Sequence, residues 1–253
     1  MKEIIEGKLQ LICKRLRLPG VRQHWQSIAR EATEKTMDYG EFLLACLEEE
    51  ITTRHQKRLT NNLKRAKFPL NKTLNEFDFK EMPSLSKGRV LQLAQNEYVR
   101  RKENIICVGK PGTGKTHIAI ALGLAAVNDE YRVKFTTIMQ LIQELLLAEK
   151  EYRLPHYLKQ WKKYDLVICD ELGYVPLGEG GKLLFQFISN KYESGSLIIT
   201  TNLEFSRWTE VFTDPALTAA MLDRLTHHSN LLLFEGESFR FKESASKTMK
   251  YKE

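Results

Sequence analysis

The chain has 253 residues, of which 42% are apolar and 28% charged, with a formal net charge of +7. This length leaves room for one α/β domain and a smaller module, and the composition is that of a soluble globular chain. No apolar run approaches the ~18–20 residues of a membrane-spanning helix, so no membrane role is expected, and the excess of positive charge points to a polyanionic partner.

Residues 1 to 67 read as helices only. Ile4, Ile5, Leu9, Ile12 and Leu16 recur at helical spacing, and Leu18-Pro19-Gly20 breaks that helix. A second helix runs from Val21 to about Glu34. Asp38 can cap a third, in which Phe42, Leu43, Cys46, Leu47 and Ile51 form the expected apolar stripe. His24 and His55 are isolated and read as surface or packing residues. From Ile51 to Asn75 there is no acidic residue. Arg54, Lys57, Arg58, Lys64, Arg65 and Lys67 fall in this window and are the candidate contacts to a DNA backbone, the alternative being a solvated basic face. Phe68-Pro69 ends the helix. An irregular connector follows, whose Phe77, Phe79, Met82 and Pro83 either cover a bound base or dock the connector on the next domain. Arg89 to Lys102 reads as one helix.

From Asn104 onward strands and helices alternate, which predicts a parallel sheet with covering helices. Asn104 to Val108, Val133 to Thr137, Asp165 to Asp170, Ser196 to Asn202 and Asn230 to Phe234 are the predicted strands. Ile138 to Tyr152, Arg153 to Lys163, Leu183 to Tyr192 and a helix opened by Asp214-Pro215 lie among them. The first strand runs into Gly109-Lys110-Pro111-Gly112-Thr113-Gly114-Lys115-Thr116-His117. The segment to Thr116 matches the pattern of Gly, four residues, Gly, Lys and Thr, set between an apolar strand and a helix. The glycines let backbone N–H groups approach a phosphate, Lys115 reaches the terminal phosphates, and the Thr116 hydroxyl is a ligand for Mg²⁺. Leu166 to Glu171 ends four apolar residues on two acids, at the sheet edge where ligands bind. Asp170 is the second expected contact to Mg²⁺, and Glu171 the residue that orients and polarises the attacking water. The strand ending at Asn202 offers an amide to that water or to the γ-phosphate, unless Asn202 merely caps the next helix.

The four cysteines, Cys13, Cys46, Cys107 and Cys169, lack metal-type spacing and read as reduced core residues. Together with an N-terminus lacking a signal peptide's apolar core, they suggest a cytoplasmic protein.

The phosphate loop, Leu166–Glu171, Ile198–Asn202 and Arg224 together resemble an AAA+ ATPase. The resemblance narrows at Ala66-Lys67-Phe68-Pro69, Thr73 to Phe79, Asp170 to Tyr174, Asp223-Arg224-Leu225-Thr226-His227-His228 and Gly236 to Arg240. These are similar to the IstB-type helper ATPases of insertion sequences, relatives of the DnaC helicase loaders and the DnaA initiators. The resemblance implies a helical N-terminal domain (1–67) that binds a partner or DNA, a connector (68–87), an AAA+ domain (88–241) without a full C-terminal lid, and a basic tail (242–253). It also implies ATP as ligand and substrate, homo-oligomerisation on double-stranded DNA, and activation of a partner transposase. Arg224 takes the place of an arginine finger acting on the adjacent subunit's nucleotide, and Arg240 that of a second arginine sensing the nucleotide. A replicative helicase loader, a small-molecule phosphoryl-transfer enzyme and a non-hydrolysing DNA scaffold are the alternatives.

Overall fold

A computed structural model describes residues 2–173, 176–192, 194–212 and 214–239. Two compact units are present, Met1–Asn61 and Asn62–Glu253, and the division falls within a long helix.

The first unit holds α1 (Lys2–Arg15), α2 (Pro19–Glu34) and most of α3 (Tyr39–Ala66). Pro19 opens α2 at a position where its missing N–H costs nothing. Asp38 and Glu41 exchange side-chain bonds with each other's backbone N–H, at 2.9 and 2.8 Å, and so box the start of α3. The start of α2 has no cap of its own. Its N–H groups at Gly20 and Val21 instead donate to the buried carboxylate of Glu50 on α3, at 2.7 and 3.1 Å. A negative charge there also suits the helix dipole.

The expected apolar stripe of α3 is corrected. Cys46 is buried, but Leu43, Leu47 and Ile51 are 58%, 46% and 67% exposed, and Ile4, Ile5 and Ile12 of α1, with Leu16 just after it, are exposed as well. Three helices in so short a unit share one narrow seam, and it is occupied by Cys13, Gly20, Cys46 and Glu50.

The second unit begins with a connector containing two short 3₁₀ turns, Leu74–Glu76 and Phe79–Glu81. The single helix expected over 89–102 is two pieces, α4 (Lys87–Leu93) and α5 (Glu97–Arg100). The break is at Asn96, buried with φ +60°, where its amide donates to Asp129 at 2.9 Å. Asn tolerates the left-handed region better than most residues, so the chain turns there. Then follow β1 (Asn104–Gly109), α6 (Lys115–Asn128), β2 (Val133–Thr137), α7 (Ile138–Lys150), α8 (Leu154–Trp161) and β3 (Leu166–Leu172). Next come α9 (Glu179–Lys191), β4 (Ser196–Thr201), α10 (Thr209–Phe212), α11 (Pro215–Thr226) and β5 (Ser229–Phe234). Asp214 caps α11 as expected, accepting from Ala216 and Leu217.

The sheet is parallel, in the order β2-β3-β4-β1-β5. Helices cover both faces of the central strands, which is why β1, β3 and β4 are buried almost throughout and each carries a short apolar run. One core joins Ile106, Val167, Ile199, Leu145, Trp161 and Phe187. The order places β4 between the strand that carries the phosphate loop and the strand that carries the acids. Opposite Thr200 the β3–β4 register slips. Cys169 pairs with Ile199 and Leu172 with Thr201, so Asp170 and Glu171 together face one residue of β4. Among the described residues no helix is long and apolar enough to cross a membrane.

Candidate active site

The phosphate loop closes between β1 and α6 because Gly112 and Gly114 take φ of +79° and +90°, values that a side chain would strain. Thr113, buried, pins the loop by donating to the carbonyl of Lys110 at 2.8 Å. The Lys115 ammonium is held over the loop, donating to the carbonyls of Gly109 and Lys110 at 2.6 and 2.7 Å. Backbone N–H groups, a lysine and a helix N-terminus thus converge, as an anion site requires. Lys110 and Pro111 line the outer side of the loop and are exposed.

The Thr116 hydroxyl lies 3.0 and 3.2 Å from the two carboxylate oxygens of Asp170, which is buried at the end of β3. Thr200 of β4 donates to the same carboxylate at 2.5 Å, and its oxygen accepts the N–H of Glu171 at 2.9 Å. Glu171 itself is exposed to the cavity, with φ +66°. Asn202 follows β4, and its buried Oδ1 has no hydrogen-bond partner among the described residues. That oxygen is turned toward Gly173, so the NH₂ group is the part of Asn202 that can donate into the cavity.

These groups line a cavity of about 380 Å³. Its polar side carries Thr116, Glu171, Thr200 and Asn202, and its apolar side Leu70, Phe77, Met82, Ile120 and Phe239. Phe77 comes from the connector and lies edge-on to His117, the ring centroids 5.3 Å apart. His117 donates from Nε2 to the carbonyl of Thr73 at 2.8 Å. Its side chain therefore ties connector to loop, and its place in the site is on the apolar side. The connector, whose Phe77 and Met82 the sequence offers as a cover for a base, and Phe239, whose N–H donates to the carbonyl of Gly112 at 3.0 Å, complete this wall. Burial pushes the Cys107 and Cys169 thiols up to about 12, so both remain neutral in β1 and β3.

Arg224 is elsewhere. It sits at the end of α11, just before β5 begins, and its guanidinium lies 4.5 Å from the centre of the Phe185 ring. It lines a second cavity with Arg101, Lys102, Lys191 and His228, at the edge where β1 and β4 start. The loop follows the far end of β1, so Arg224 and Lys115 are separated by about one strand length, roughly 20 Å. Arg240 lies outside the described residues.

Of the basic residues expected to meet DNA, Lys57, Arg58, Lys64, Arg65 and Lys67 are exposed. Arg54 is engaged: it donates from Nε to Glu50 at 2.6 Å and from Nη2 to the carbonyl of Arg17 at 2.7 Å. The acid that compensates it stands one residue before the acid-free window.

The parallel sheet, the phosphate loop on β1 and the paired acids on β3 define a P-loop nucleotide-binding fold of the AAA+ type. The solved structures similar to it agree in fold. A DNA replication initiation factor matches with a TM-score of 0.56 at 22% identity, over 73% of this chain and 57% of that one. DnaI matches with a TM-score of 0.53 at 16% identity, over 66% and 90%. The sequence decides the family: residues 12–247 match the IstB-like ATP binding proteins, and the chain belongs to that family. It is 41% identical to the ATP-binding protein of insertion sequence IS21 from Pseudomonas aeruginosa, over 93% of this chain and 89% of the relative. It is 37% identical to that of IS5376 from Geobacillus stearothermophilus, over 98% and 100%.

Proposed function

We propose that this protein is an ATP-hydrolysing switch that assembles on double-stranded DNA with ATP bound and activates a partner transposase of an insertion sequence. The observation that carries the reading is the separation of Arg224 from Lys115 across the sheet. A cation needed at the γ-phosphate cannot reach its own chain's loop from there, and a neighbouring copy supplies it. ATP then binds at subunit interfaces, and nucleotide and assembly are thermodynamically linked.

Within one chain the roles divide as follows. The loop from Gly109 to Thr116 holds the phosphates, and the apolar wall around Phe77 takes the base. Thr116 and Asp170 hold Mg²⁺, which neutralises phosphate charge when bound. Glu171 orients the water and Asn202 donates its amide to the water or the γ-phosphate. Loss of the γ-phosphate releases the neighbour's arginine and loosens the assembly. Lys57, Arg58, Lys64, Arg65 and Lys67 supply phosphate-backbone contacts, repeated by each added copy. The family's association with insertion sequences supports transposition over helicase loading, because the likeness to replication proteins extends only to fold.

Sedimentation with duplex DNA tests this reading, with ATP and Mg²⁺, with ADP, or without nucleotide, at two salt concentrations. A large DNA-bound species formed only with ATP, and weakened by salt, is expected. A monomer indifferent to nucleotide would overturn it.

A further inference from the structure

We infer that Thr200 is a positioning residue for hydrolysis: its hydroxyl locks the bulge of β3 that presents Glu171 to the nucleotide. The inference rests on the reading of Glu171 as the residue that orients the water.

A strand that bulges loses a ladder partner. On β3 two residues, Asp170 and Glu171, face Thr200 alone, so the N–H of Glu171 has no carbonyl of β4 opposite it. The Thr200 hydroxyl takes the place of that carbonyl, accepting the N–H at 2.9 Å. An amide N–H can only donate, which commits the hydroxyl proton to the other neighbour, Oδ1 of Asp170 at 2.5 Å. Thr200 is 1% exposed, so water has little access to substitute for either bond. One hydroxyl therefore fixes the backbone of the water-orienting residue and the carboxylate that faces Thr116.

Glu171 needs such a lock. Its φ of +66° is in the left-handed region, which a glutamate occupies only when its surroundings enforce it. If the bond from its N–H is lost, the bulge can relax toward regular pairing. Because side chains alternate along a strand, that would turn Glu171 away from the cavity. A catalytic group displaced by about 1 Å can cost 100-fold in rate.

The experiment compares Thr200→Val, Thr200→Ser and Glu171→Gln in the full chain with duplex DNA. Steady-state hydrolysis, affinity for a fluorescent ATP analogue, the Mg²⁺ requirement and thermal unfolding are measured for each. Valine keeps the shape and removes the hydroxyl; serine keeps the hydroxyl. Thr200→Val is expected to lower kcat by about 10–100-fold with nucleotide affinity within about 3-fold of the parent, and Thr200→Ser to restore kcat to within about 3-fold. Adding Thr200→Val to Glu171→Gln should lower kcat no further, because both changes act through one group. If Thr200→Val hydrolyses like the parent while Glu171→Gln does not, the inference is wrong and the role of Glu171 stands. If excess Mg²⁺ restores Thr200→Val, the residue acts through Asp170 and the inference is also wrong. If Glu171→Gln turns over normally, the underlying reading fails. Should Thr200→Val not fold, the serine variant still decides, since a parent-like melting temperature with a lost kcat would contradict a role for the hydroxyl bonds.

Discussion

The hydroxyl of Thr116 lies 3.0 Å from Oδ1 of Asp170, although 54 residues separate them in the chain. The contact crosses β4, because the loop strand and the acid strand are not neighbours in the sheet. It brings together from two distant segments the two groups proposed above to hold Mg²⁺.

Lys115→Ala should weaken nucleotide binding sharply. The ammonium is the charged donor held over the loop, and a charge-assisted contact to phosphate is worth about 1.5–3 kcal/mol, or roughly 10–100-fold in affinity. Titration with a fluorescent ATP analogue measures this, and an unchanged affinity would show that phosphate is bound elsewhere.

Arg224→Ala should behave in the opposite way. Its guanidinium rests on Phe185 at the far edge of the sheet, so binding of ATP by the single chain should stay within about 3-fold. Turnover should fall by about 100-fold or more, as expected for a cation that acts on a neighbour's phosphate. Mixing Arg224→Ala with Lys115→Ala protein should recover part of the turnover, since each variant keeps the half of an interface that the other lacks. No recovery in the mixture would argue against sharing of sites between copies.

How much of this was legible varies with range in sequence. β1, β3 and β4 are readable because strands buried on both faces carry apolar runs of three to four residues, and Asp214-Pro215 announces α11 by local capping chemistry. Lys115, Thr116, Asp170 and Glu171 stand out as candidates in the sequence since glycine spacing and terminal acids are local signals. Thr200 could not, because its two bonds depend on a register slip between strands about 30 residues apart in sequence. The break at Asn96 depends on Asp129, and the engagement of Arg54 on a carboxylate that also caps another helix. The stripe on α3 misled because periodicity reports an apolar face without saying what covers it.

That shared carboxylate gives a stability prediction. Glu50→Ala leaves the N–H groups of Gly20 and Val21 without their acceptor and Arg54 with the carbonyl of Arg17 but no carboxylate. A loss of about 2–4 kcal/mol is expected in the first unit. Amide exchange in α1 to α3 measures it directly. Protection equal to the parent would mean that the start of α2 is held by other contacts.

Lys191 predicts a pH dependence of opposite sign to that of an ordinary paired lysine. Its ammonium is buried and donates to the carbonyl of Tyr164, and burial pushes its pKa down to about 8. The folded state therefore gives up this proton before the unfolded state does. Between pH 8 and about 10.5 the unfolded chain binds more protons, so stability from this group rises with pH. Relative to Lys191→Met, the parent should gain on the order of 2–3 kcal/mol across that window, read from urea unfolding at each pH. Parallel profiles for the two proteins would refute the shift.

The left-handed backbone at Glu171 has a consequence for engineering this scaffold. A glycine would adopt φ +66° without strain, so a search for heat-tolerant variants would favour glycine at the position where the proposed function needs a carboxylate. Selection for robustness and selection for turnover pull apart there, and a screen that scores only folding would retain an inactive protein.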